Sequence, residues 1–194
     1  MNRGTSGTGA RAGLLATLVA VLCACAPAAQ RTGPVEYLDR DTAVTFTVVA
    51  HPLIFARVRP DLAARVRDYA TAAAASMDRN GQVQYVLIIY LWSTVDPRNE
   101  PGAGGPAPDL VLAADDRRIA LHPMADPAQS LPPFGRPPVR HFVGAMYRTD
   151  LATLRFITAA RYLALLRGAG RREARFGLWR DERQSLAELV GPSQ

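Results

Sequence analysis

The sequence predicts an α+β domain, a mostly antiparallel β-sheet or sandwich of about seven to eight strands with two short helices near the C-terminus. Three observations carry that expectation. Gln82 to Val95, QVQYVLIIYLWSTV, begins with strand-like alternation and then becomes apolar on both sides, as a central strand covered on both faces must be. Turn signals recur between short apolar runs at Asn80-Gly81, at Ala114-Asp115-Asp116-Arg117 and at Gly168-Ala169-Gly170-Arg171. Helical spacing is clear only late, after Asp150 and again after Asp181.

Taken in order, Thr42 to Ala50 alternates Val44, Phe46 and Val48 against Thr45 and Thr47, a half-buried strand. His51-Pro52 interrupts it because proline brings no donor to a ladder, and Leu53 to Val58 resumes it after a bulge. Asp61 to Met77 is ambiguous. Its alanines favour a helix, but the Asn80-Gly81 hairpin needs a strand behind it, so the reading is a turn over 61–68 and a strand over 69–77. Asp96 to Pro108 is a loop by composition, and Asp109 to Ala113 with Arg118 to Leu121 form a second hairpin. His122 to Pro138, with six prolines, is irregular, and a strand follows from Val139 to Arg148.

Asp150 is placed to cap a helix carrying Leu151, Leu154, Ile157 and Arg161 on one face. Tyr162 to Arg167 and Arg172 to Trp179 make a third hairpin. Asp181 with Gln184 three residues on has the form of a capping box, and the helix it starts turns Leu186, Leu189 and Val190 inward before Gly191-Pro192. No repeat of fixed period is present.

The N-terminus has a different character. Arg3 and Arg11 precede an apolar run from Ala12 to Ala24 broken only by Thr17, shorter than the roughly 20 residues a spanning helix needs. At its end stands Leu22-Cys23-Ala24-Cys25. This resembles the lipobox of bacterial lipoproteins, with Leu22 at −3, Ala24 at −1 and Cys25 as the thiol that is acylated and becomes the first mature residue. Cys23 at −2 departs from the usual small aliphatic or hydroxyl residue. The resemblance implies residues 1–24 as a lipoprotein signal peptide, 25–40 as a lipidated tether of about 50 Å reach, and 41–191 as a single globular β-rich domain. It also implies a palmitate-like acyl chain on Cys25 as the link to the membrane. In such lipoproteins an Asp after the cysteine favours inner-membrane retention; here Ala26 follows, which implies the outer membrane, periplasmic side. The phrases YLWSTVD and LWRDERQSL resemble those of uncharacterised lipoproteins of Gram-negative envelopes and bring no function with them.

Composition narrows the function classes. Every basic residue is Arg; removing Arg3 and Arg11 from the 23 leaves 21 against 17 acidic residues, a net charge of +4. The arginines are spread along the chain rather than clustered with aromatics, which argues against nucleic acid. Beyond Cys25 no cysteine remains for a disulfide or a metal. His51, His122 and His141 have no metal-ligand spacing, and the reading for each is structural or solvated. No Gly-x-Ser-x-Gly elbow is present. Gly102-Ala103-Gly104-Gly105 lacks the Lys-Ser/Thr of a phosphate loop, and Asp115-Asp116 read as turn residues. Trp92 and Trp179 continue apolar strands, so core packing is expected of both. The expectation is a lipid-anchored envelope lipoprotein, a non-catalytic binding or structural module with an envelope protein as its partner. It has no catalytic, metal or cofactor-binding residues. A small-ligand or lipid carrier is the alternative, and an envelope enzyme a weaker one.

Overall fold

The computed structural model describes residues 33–95, 106–124, 131–170 and 173–191, all within one unit of the chain, Thr32–Gln194. Ten strands and two helices follow in order: β1 Val35–Asp39, β2 Val44–Val48, β3 Leu53–Val58, β4 Arg67–Arg79, β5 Gln82–Ser93, β6 Leu110–Ala114, β7 Arg117–Leu121, β8 Val143–Thr149, α1 Leu151–Ala159, β9 Leu163–Arg167, β10 Ala174–Arg180 and α2 Arg183–Val190. They form a single antiparallel sheet, ten-stranded rather than seven- to eight-stranded.

The β4–β5 hairpin is its axis. Arg79 pairs with Gln82 across a two-residue loop in which Asn80 and Gly81 both have positive φ, at 54° and 81°. This is the geometry that Asn-Gly tolerates at least cost. The alanine-rich run is therefore strand from Arg67 onward. Twelve cross-strand pairs with β5 are available to it, and burial in a sheet overrides a modest helix propensity.

One edge of β4 is shared. β2 pairs with 75–78 and β3 with 67–72, so the two lie end to end along it. Between them four residues, 49–52, face two positions of β4, and the chain bulges at His51-Pro52. Here the partners on the far edge change, from β1 beside β2 to β10 beside β3. β1 occupies part of the stretch read from sequence as tether up to Arg40. Its residue Tyr37 contacts the rings of Phe46 and Phe134 at 6.3 and 5.8 Å between centroids, and that packing secures the strand.

From β3 the pairing path runs through β10, β9 and β6 to β7, while β8 lines the other edge of β5. Just past β7, Pro123 bridges Tyr147 of β8, and the Met124 N–H donates to the Met146 carbonyl at 2.8 Å. The path so closes into a ring around an apolar interior to which Leu53, Ala72, Leu87, Ile89, Leu112 and Leu165 contribute. Ile157 of α1 and Leu186 of α2 reach the same interior.

Three local expectations need correction. The strand read over Val139 to Arg148 begins only at Val143, and His141 precedes it, exposed. Asp150 does cap α1, accepting from the Thr153 N–H at 2.7 Å, but the helix ends at Ala159 and leaves Arg161 outside. At α2 the capping box is not formed. Glu182 is the N-cap without a side-chain bond, and the Asp181 carboxylate binds Arg183 through both its Nε at 2.8 Å and its backbone N–H at 3.2 Å.

Candidate functional site

Two buried phenols hold loops to the sheet. The Tyr90 hydroxyl donates to the Pro132 carbonyl at 3.0 Å and the Tyr147 hydroxyl to the Pro108 carbonyl at 2.9 Å. Burial raises the pKa of both phenols above the ordinary tyrosine value, and for Tyr147 the nearby Asp109 carboxylate adds to the rise. Asp115, at φ 48°, accepts the N–H groups of Arg161 and Tyr162 at 3.0 and 2.8 Å. It ties the β6–β7 turn to the start of β9, which places Asp115-Asp116 among turn residues as their sequence position implies.

The three histidines are not gathered. His122 Nδ1 lies 3.0 Å from Asp109 Oδ1 in a pair that is about three-quarters exposed, and His141 is exposed elsewhere. His51 lines the interior at the bulge, where Glu182 also contributes to the wall, and its backbone N–H donates to the buried Ser185 hydroxyl at 3.2 Å. That bond ties the bulge to α2. The free volume is about 20 Å³, room for one water and far below the several hundred Å³ of a small-molecule pocket. Among the described residues no group of three or more His, Cys, Asp or Glu is placed to hold a metal ion.

A second cluster lies on the outer sheet face. Tyr69 and Trp92 are cross-strand partners, and their rings stack at 4.4 Å with an angle of 16°. Next on β4, the Arg67 guanidinium sits 4.4 Å over the Trp179 ring, and Val58 is directly opposite Arg67 on β3. Trp179 is 57% exposed, which overturns the expectation that it packs in the core. Leu178 pairs with the interior residue Phe55, so Trp179 follows on the outer side, just before the register shifts at Arg180. The sequence held a usable signal: Phe176 and Leu178 alternate, so their odd-numbered neighbour faces away from the interior. Arg67, Val58 and Leu62 carried no comparable signal.

Leu22, Cys23, Ala24 and Cys25 lie outside the described residues, as does Gly102-Ala103-Gly104-Gly105. No family model matches the chain, and neither does any curated protein or solved structure. No helix among the described residues is long and apolar enough to cross a membrane.

Proposed function

We propose that this chain is a lipid-anchored lipoprotein of the cell envelope, held by an acyl group on Cys25 and acting through non-catalytic contacts of its folded domain. The observation that carries the reading is Leu22-Cys23-Ala24-Cys25 at the end of a positively charged and then apolar leader. The polar economy of the domain supports the non-catalytic part: Tyr90, Tyr147, Asp115, Asp150 and Ser185 each bond a loop or cap, and none is aimed at a shared reaction centre. Ala26 after the cysteine favours the outer membrane, on its periplasmic side. Metabolic labelling with a fatty-acid analogue tests the anchor. Cys25→Ala is expected to abolish labelling and Cys23→Ala to leave it intact; equal labelling of wild type and Cys25→Ala defeats the proposal. Recovery of the protein in the inner-membrane fraction of a density gradient defeats the sorting assignment alone.

A further inference from the structure

We propose that the surface around Arg67 docks the domain onto an anionic lipid bilayer, an inference that rests on the lipid-anchored reading and extends it from the acyl chain to the folded body.

Three exposed apolar side chains lie on β3, on the β3–β4 loop and on β10. Val58 is 52%, Leu62 51% and Trp179 57% exposed. Arg67 joins them: it pairs in register with Val58, lies over the Trp179 ring, and stands just beyond the loop that presents Leu62. Isolated apolar residues on a surface need no explanation, but a tryptophan and a valine share one arginine here, and a leucine is exposed on the loop that leads to it. Indole favours the headgroup region, where its apolar body and polar edge are both accommodated.

The loop between β3 and β4 is suited to enter that region. Four of its N–H groups find carbonyls of the loop itself: Arg59 to Val66 at 2.9 Å, Leu62 to Arg59 at 3.0 Å, Ala63 to Arg59 at 3.3 Å and Val66 to Ala63 at 3.1 Å. Peptide groups already paired lose little when water is withdrawn, so these four bonds lower the cost of bringing Leu62 into the interface.

Charge selects the occupant. Asp61 and Asp68 are both held by Arg59, at 2.9 and 3.0 Å, while Arg67 lies over Trp179, Arg180 follows Trp179 in β10 and Arg65 stands in the loop with Leu62. Lipid phosphates complement this arrangement, whereas a two-fold pairing with a second copy sets arginines against arginines. The tether reinforces the contact. With β1 starting at Val35, nine residues separate it from Cys25, a reach of at most about 35 Å. An anchor that short holds the domain at high effective concentration beside the bilayer, where a weak patch suffices.

The test uses the full acylated chain reconstituted into phosphatidylcholine vesicles with or without phosphatidylglycerol, each doped with a lipid-borne quencher of tryptophan emission. Quenching that is stronger in anionic vesicles and disappears in Trp179→Phe, which keeps Trp92, is the expected result. Arg65→Gln is expected to lower the docked-to-undocked ratio about fivefold, and Leu62→Asp to lower it further; both positions are exposed, so both variants keep the fold. Quenching equal in the two vesicle types overturns the inference, as does none at all. A concentration-dependent increase in mass that Leu62→Asp abolishes also overturns it, in favour of self-association. Fatty-acid labelling of the same preparation reports Cys25 separately, so loss of the anchor is distinguishable from loss of docking.

Discussion

Over the middle of the β4–β5 hairpin both faces are buried, and they are covered by different means. Inside, Ala72 stands opposite Ile89 and Ala74 opposite Leu87, and the sheet itself, closed through β8 and β7 and plugged by Ile157 and Leu186, provides the cover. Outside, Thr71 stands opposite Tyr90 and Ala73 opposite Ile88, and part of the cover is a segment without regular structure, 131–142. Leu131, Phe134 and Phe142 of that segment pack on the core, with Phe142 edge-on to Tyr90 at 5.3 Å. A segment without a ladder is tolerated over an apolar face because its prolines bring no N–H to satisfy, and two of its carbonyls find sheet donors. Pro132 accepts from the Tyr90 hydroxyl at 3.0 Å and Gly135 from the Thr71 hydroxyl at 3.4 Å. Regular structure is therefore one route to burial; matching the few remaining polar groups is another.

The sharpest way to break this comparison is truncation at adjacent positions. Ile88 and Ile89 are 0% and 1% exposed and point to opposite faces. Ile88→Ala and Ile89→Ala are each expected to cost about 2–5 kcal/mol through lost burial and the cavity left behind. Denaturant midpoints of the two variants measure it, and a wild-type midpoint for Ile88→Ala alone shows that the irregular cover contributes no real burial.

Next in size is Gly144. It is the cross-strand partner of Tyr90, and a Cβ there comes within 2.6 Å of the Tyr90 ring and 2.8 Å of Leu131. Gly144→Ala is expected to destabilise by about 1–3 kcal/mol. An unchanged unfolding midpoint means that the ring has room to shift and that the outer cover is loose.

Alkaline titration sharpens the comparison through one tyrosine on each face. The folded pKa values of Tyr90 and Tyr147 lie above the ordinary value of 10.0, so the folded state holds the phenolic proton more tightly than the unfolded chain does. The associated stability is complete below pH 10 and is lost as pH rises from there through the folded values. Each tyrosine contributes a slope of up to about 1.4 kcal/mol per pH unit. Unfolding midpoints recorded from pH 9 upward should fall, and Tyr90→Phe and Tyr147→Phe should each flatten the decline. A variant that declines as steeply as wild type shows that its phenol is not desolvated.

The smallest effect is expected at the Arg67 cluster. Trp179→Phe should move stability by no more than about 0.5 kcal/mol, since the ring is largely solvated and its partner is a surface arginine. Thermal unfolding checks it, and a loss on the scale of Ile88→Ala reassigns the indole to the core.

What the sequence determined by itself was local or binary. The turn at Asn80-Gly81 was legible because few residues other than Asn and Gly accept two successive positive φ values. The double-sided burial of Ile88 and Ile89 was legible because a run without polar alternation has no solvent-facing side. The Asp150 cap followed from residue type and position, and the acceptor thiol at Cys25 remains a motif reading. Only the tertiary structure decided what long-range pairing controls. It extended the strand read over 69–77 to Arg67–Arg79, recruited β1 through contacts of Tyr37, and joined Pro123 to Tyr147 across a proline-rich segment with no period to read. It also set the Asp181 carboxylate against the Arg183 guanidinium, with Glu182 as the N-cap of α2. Each outcome depends on a partner distant in sequence or on which of several partners a group takes, and such energies are not additive along the chain. For the same reason the surface around Arg67 emerged only once β3, β4 and β10 were side by side.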